Sequence, residues 1–160
     1  MAKLSVAAAV LALLLAPSAA LVRADAHEGH PTFSAGEPGD PKKPARTVRV
    51  LMHDDGGETD MRFEPALITV RRGEQIRFVL ENVGTESHEF MLATVPENRK
   101  HAELMKKFPD MEHDDPNGKR LAASERGELV WKFTKRGEFE FACLIPGHYE
   151  AGMHGKIIVK

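Results

Sequence analysis

From residue 47 onward the chain is built of short runs in which apolar and polar positions alternate, each closed by a turn signal. "TVRVLM" begins at Thr47 and is broken by "HDDGGETD"; "ALITV" follows, and "RRGE" at Arg71–Glu74 turns it into "QIRFVL". In that run Ile76, Phe78 and Leu80 fall on one face of an extended strand, since successive side chains point to opposite sides. The loop "ENVGTES" leads into "HEFMLAT" at His88, and later come "ELVWKFT", the turn "KRGE", "FEFAC" and the C-terminal "GKIIVK". A single stretch departs from this period. "PENRKHAELMKKF", Pro96 to Phe108, opens with proline and a charged turn and carries Leu104, Met105 and Phe108 at helical spacing. Six to eight strands with one short inserted helix predict an all-β fold, a small antiparallel β-sandwich.

The ends read differently. Lys3 precedes an unbroken apolar stretch from Leu4 to Ala16, and "ADA" at Ala24–Ala26 suits signal-peptide cleavage, with a cut after Ala20 as the alternative. The apolar stretch is short of the ~20 residues a permanent membrane helix wants. Residues 1–26 are therefore expected to be a signal peptide, which implies export to the periplasm and no membrane association once it is removed. Residues 27–46, "HEGHPTFSAGEPGDPKKPAR", are rich in proline, glycine and charge without any period and are expected to form a flexible arm. That leaves 47–160 as one domain.

Composition narrows the partners. The formal charge of −2 over 160 residues lacks the basic excess that a nucleic-acid partner calls for. Cys143 is the sole cysteine, so no intrachain disulfide can form. A lone cysteine in an exported chain is a buried bystander, an intermolecular partner, or a ligand shielded by what it binds.

Its surroundings favour the last. "CLIPGHYEAGM" places Cys143, His148 and Met153 in C-x4-H-x4-M spacing on one loop between two strands, with Pro146 and Gly147 able to turn the chain back. A thiolate, an imidazole and a thioether form a soft set suited to both common oxidation states of copper. A second imidazole is needed, and His88, starting a strand directly after a loop, is the best candidate. Two histidines and a cysteine with a weak axial methionine make the trigonal blue-copper arrangement. Singly, each residue also has an ordinary reading: Cys and Met usually pack without binding anything.

These residues carry a resemblance. The C-terminal block, together with "MRFEPALITVRRGEQIRFVLENVGTESHEF" and the strand order, resembles the cupredoxins, the group of azurin, plastocyanin and rusticyanin. "HEF", "MEHDDPN" and "CLIPGHYEAGM" are similar more narrowly to periplasmic cupredoxins associated with bacterial copper tolerance. The resemblance implies a Greek-key β-sandwich and one type 1 copper, with His88, Cys143 and His148 in the plane and Met153 axial. It also implies one-electron transfer capability in the service of copper tolerance, or alternatively a dedicated electron carrier of a periplasmic respiratory chain. Redox partners would dock transiently near His148, on a surface of Pro146, Gly147 and Tyr149. No enzymatic activity is expected, because the H-C-H ligand patterns of multicopper oxidases are missing: Ala142 and Leu144 flank Cys143. Azurin-like proteins carry Asn after the first histidine ligand to tie the ligand loops together; Glu89 stands here, and Ser87 precedes His88.

Other histidines and methionines leave two readings open. His101 and Met105 share a helix face, and Met111 and His113 lie in an acidic loop. These four are candidates for a second, weaker copper site; otherwise Met105 is core and the loop simply solvated. His27 and His30 could chelate Cu(II) at a mature N-terminus. No twelve-residue calcium loop is present.

Overall fold

A computed structural model describes residues 32–54, 60–108 and 115–160. The signal segment, and Met111 and His113 of the acidic loop, lie outside them. Ten strands and one helix follow in order: β1 (Glu37–Pro38), β2 (Arg46–His53), β3 (Arg62–Glu64), β4 (Leu67–Val70), β5 (Gln75–Asn82), β6 (His88–Ala93), α1 (Val95–Lys107), β7 (Gly118–Leu121), β8 (Arg126–Lys132), β9 (Gly137–Ala142) and β10 (His154–Val159). They form two five-stranded sheets, ordered β1-β8-β5-β2-β3 and β4-β10-β9-β6-β7. The result is the β-sandwich that the alternating runs predict, with the Greek-key order that the resemblance implies.

Each predicted run becomes a strand because one of its faces is apolar. Ile76, Phe78 and Leu80 of β5 are all fully buried, as are Val50 and Met52 of β2, and Phe90, Leu92 and Phe141 from the opposite sheet. Phe90 and Phe141 stack at 5.1 Å between centroids, and Phe63 meets both edge-on. Fully burying such a side chain is worth about 1.5–3 kcal/mol, so this aromatic layer supplies much of the force holding the sheets together.

Two features depart from the expected pattern. The sandwich is not wholly antiparallel: β2 pairs with β5 and β4 with β10 in parallel. The chain crosses to the second sheet at β4 and returns, so β5 re-enters the first sheet in the direction of β2. The stretch expected as a flexible arm is also attached, among the described residues, from Phe33 onward. β1 pairs with β8, Phe33 packs edge-on against Trp131, and the Trp131 indole N–H donates to the Ala35 carbonyl. Proline and glycine there deny the segment a period of its own, but Ala35 and Trp131 are buried together.

Helix α1 begins at Thr94 with a capping box to Glu97 and a proline in its first turn. It buries Asn98 and Met105, whereas Leu104 and Phe108, expected on the same inward face, are exposed. A 13-residue helix on the outside of a sheet needs only a narrow apolar stripe.

The loop that delivers His88 is braced by Asn82, which is 1 % exposed. Its amide donates to the carbonyls of Glu86 (2.7 Å), Leu121 (3.2 Å) and Ala122 (3.0 Å), while its oxygen accepts the Gly84 N–H. Buried polar groups left unpaired cost about 1–3 kcal/mol each. Asn82→Ala is expected to lower the unfolding free energy of the metal-free protein by about 2–4 kcal/mol, read from urea denaturation; a loss under 1 kcal/mol would show that the loop does not depend on this brace.

Candidate metal centre

Three of the four predicted ligands meet at one end of the sandwich. His88 opens β6, Cys143 follows directly on β9, and the loop from Cys143 to Met153 returns the chain into β10. That loop is closed by its own backbone: Cys143 N–H donates to the Met153 carbonyl and Met153 N–H to the His148 carbonyl, both at 3.0 Å. Gly147 and Gly152 occupy positive φ, 94° and 103°, so the chain reverses at both with no side chain to oppose it. His148 is thereby turned back over Cys143.

The imidazole Nδ1 atoms of His88 and His148 lie 3.2 Å apart, and the Cys143 sulfur lies 3.4 Å from His148 Nδ1. All three donor atoms fall within 4.8 Å of one another, and all three residues are buried. Met153 is fully buried beside them, in the same apolar cluster as Cys143.

Carboxylates orient both rings from behind. His88 Nε2 lies 3.3 Å from Asp54, and His148 Nε2 lies 3.4 Å from Glu86. With its proton on Nε2, facing the carboxylate, each ring would present the Nδ1 lone pair to the centre, the role that carboxylates play behind metal-bound histidines. Asp54 is itself anchored by the backbone N–H groups of Thr85 and Glu86 at 2.8 Å. With Glu89 in the position of the azurin-type Asn, a cross-loop tie is made by backbone: Glu89 N–H donates to the Cys143 sulfur at 3.3 Å. Two imidazole lone pairs and a sulfur converging in an apolar enclosure form an electron-rich set that a cation relieves. The donor chemistry, His-Cys-His with a buried Met, is compatible with type 1 copper.

The comparisons with known proteins agree. The model of the copper-binding proteins of the plastocyanin/azurin family matches residues 50–160. The chain belongs to that family. Among its relatives, the copper-resistant cuproprotein CopI of Rubrivivax gelatinosus is 54 % identical over 137 residues, 86 % of this chain and 79 % of that one. CopI of Pseudomonas aeruginosa is 32 % identical, covering 78 % of this chain and 82 % of its own. Among solved structures, auracyanin B superposes with a TM-score of 0.63 at 22 % identity, over 79 % of this chain and 96 % of its own, a likeness of fold. This cupredoxin is therefore linked by its relatives to copper resistance.

Burial sets the protonation of the empty ligand set. Desolvation raises the Cys143 thiol from 9.0 to about 12. Desolvation lowers both imidazoles below their usual value, reinforced at His88 by the neighbouring His148; the carboxylates Asp54 and Glu86 oppose the shift without cancelling it. Burial pushes Asp54 up, yet the N–H groups of Glu86 and Thr85 and the adjacent His88 outweigh it and hold the carboxyl below its usual range. The buried ligand set is thus held uncharged beside the Asp54 carboxylate.

Of the other sequence candidates, His101 and Met105 sit on the covered side of α1, behind β6 rather than at this centre. The roles of Asp54 and Glu86 were not foreseen. The signal available was position alone, Asp54 directly following β2 and Glu86 lying two residues before His88.

The lowered imidazoles mean that the unfolded chain binds protons first as pH falls through about 6.5. The raised thiol means that the unfolded chain ionises first above about 9. Stability of the metal-free protein is expected to be highest between these limits and to fall on both sides in urea titrations. Cys143→Ser should flatten the alkaline fall relative to wild type, and an unchanged slope in that variant would contradict the buried-thiol account.

Proposed function

We propose that this cupredoxin holds one copper through His88, Cys143 and His148, with Met153 as the weak fourth ligand, and serves copper tolerance outside the cytoplasm. The observation that carries the reading is the convergence of three buried donors within 4.8 Å in a chain of a copper-binding family. Copper in such a set cycles between its two oxidation states, giving one-electron transfer capability.

The protein's own residues do the rest. The rigid loop closure between Cys143 and Met153 and the carboxylate-backed rings keep the donors in place whatever the charge at the centre, which limits rearrangement when an electron arrives. The apolar enclosure excludes water. His148 lies nearest the surface, 6 % exposed, beneath the exposed Pro146 and Gly147. A redox partner docking there would meet the edge of its ring, and such transient complexes use small interfaces. Tyr149, the third docking residue, is held by its hydroxyl to Glu140 at 2.9 Å and by stacking on His154.

Export fits residues 1–26 as a signal peptide, with the periplasm as destination, and no helix among the described residues is long and apolar enough to cross a membrane. The copper-resistance relatives favour copper handling over the second reading, a dedicated respiratory electron carrier.

A Cu(II) titration followed by visible absorption tests the site. An intense thiolate band that saturates at one equivalent and vanishes in Cys143→Ser is expected; a band that survives that substitution would overturn the ligand assignment. We further propose that the copper form has no turnover of its own, and steady substrate consumption in oxidase or nitrite-reductase assays would refute this.

A further inference from the structure

The two faces of β6 carry different chemistry. Phe90 and Leu92 enter the core between the sheets, while Met91 packs on the other side in a separate buried cluster with Met105, Ala142 and Leu144. Alternation along the strand puts Glu89 on the Met91 side, beneath α1. From the helix, His101 and Met105 are one turn apart and face the same way.

Four donors are therefore gathered between one strand and one helix. Glu89 is only 3 % exposed, Met91 3 % and Met105 1 %. The Glu89 carboxylate lies 3.9 Å from His101 Nε2, beyond hydrogen-bond length. It is within the span of two donors sharing one ion, because metal–oxygen and metal–nitrogen bonds of about 2.0–2.2 Å together reach about 4.2 Å. A cleft lined by Met91, His101, Asn98, Asp115 and Asn117 gives a route in from solvent.

We propose that Glu89, Met91, His101 and Met105 form a second metal site, selective for Cu(I). Two thioethers favour the soft monovalent ion over Zn²⁺ or Cu(II), the imidazole suits it equally, and the carboxylate balances its single charge. The site differs from the one expected from sequence in that β6 supplies half of it; Met111 and His113 lie outside the described residues. The two centres stand back to back on one strand. The Glu89 peptide N–H reaches the Cys143 sulfur while its side chain faces the other way, so one residue touches both.

The inference extends the copper-handling reading but is tested separately from it. The purified chain is titrated anaerobically with Cu(I) in competition with a chromogenic chelator, and its Cu(II) form is examined by visible absorption. Wild type is expected to hold two Cu(I), and the double variant His101→Ala/Met105→Leu one, with the thiolate band of its Cu(II) form unchanged. Met105→Leu alone keeps the packing volume and is expected to weaken the second equivalent at least tenfold. A wild type that holds one Cu(I), or a double variant that still holds two, overturns the proposal. Failure of the type 1 reading would appear instead as a missing thiolate band.

Discussion

Burial of three electron-pair donors at one end of an aromatic core is the constraint on which the rest of this structure depends. Imidazole and thiol groups removed from water remain uncharged, and His88, His148 and Cys143 all shift in the direction that keeps them so. Neutral donors can approach within 3.2–3.4 Å without charge repulsion. The surrounding architecture then has one task, to stop them drifting apart or rotating.

That task is divided between backbone and carboxylates. The backbone closes the ligand loop at Cys143 and Met153 and ties β6 to the cysteine through the Glu89 N–H. Asp54 and Glu86 stand behind the Nε2 atoms of the two rings, whose Nδ1 atoms face inward. Asp54 comes from the end of β2 in the opposite sheet, so the site fastens the two sheets together at the end where the loops gather. Asn82 performs the parallel service for the loop between β5 and β6, its amide reaching the carbonyls of Glu86, Leu121 and Ala122.

Period and chemistry made the sandwich and the cluster of His88, Cys143 and His148 legible in the sequence. Alternation marks a strand when one face is buried, as along β5, and the C-x4-H-x4-M spacing carries its own ligand logic. What stayed hidden depends on contacts distant in sequence. β1 and β3 are two and three residues long, too short to show a period, and β7 reads as polar because only Leu121 is buried. The segment from Thr32 carries no pattern because its anchor is Trp131, almost a hundred positions away. Leu104 and Phe108 fit a helical stripe yet point outward, since periodicity cannot tell how wide a stripe the sheet will cover. Asp54 and Glu86 gained their roles only when folding brought two loops to one histidine pair.

The sealed thiol has a consequence for the chain before any metal arrives. Oxidants and disulfides attack thiolates, and a group with a pKa of about 12 and no solvent exposure offers almost none. The only cysteine is thus shielded from sulfenic acid formation and from cross-linking to a second copy. The fold acts as a protecting group on this sulfur, keeping it in the thiol form.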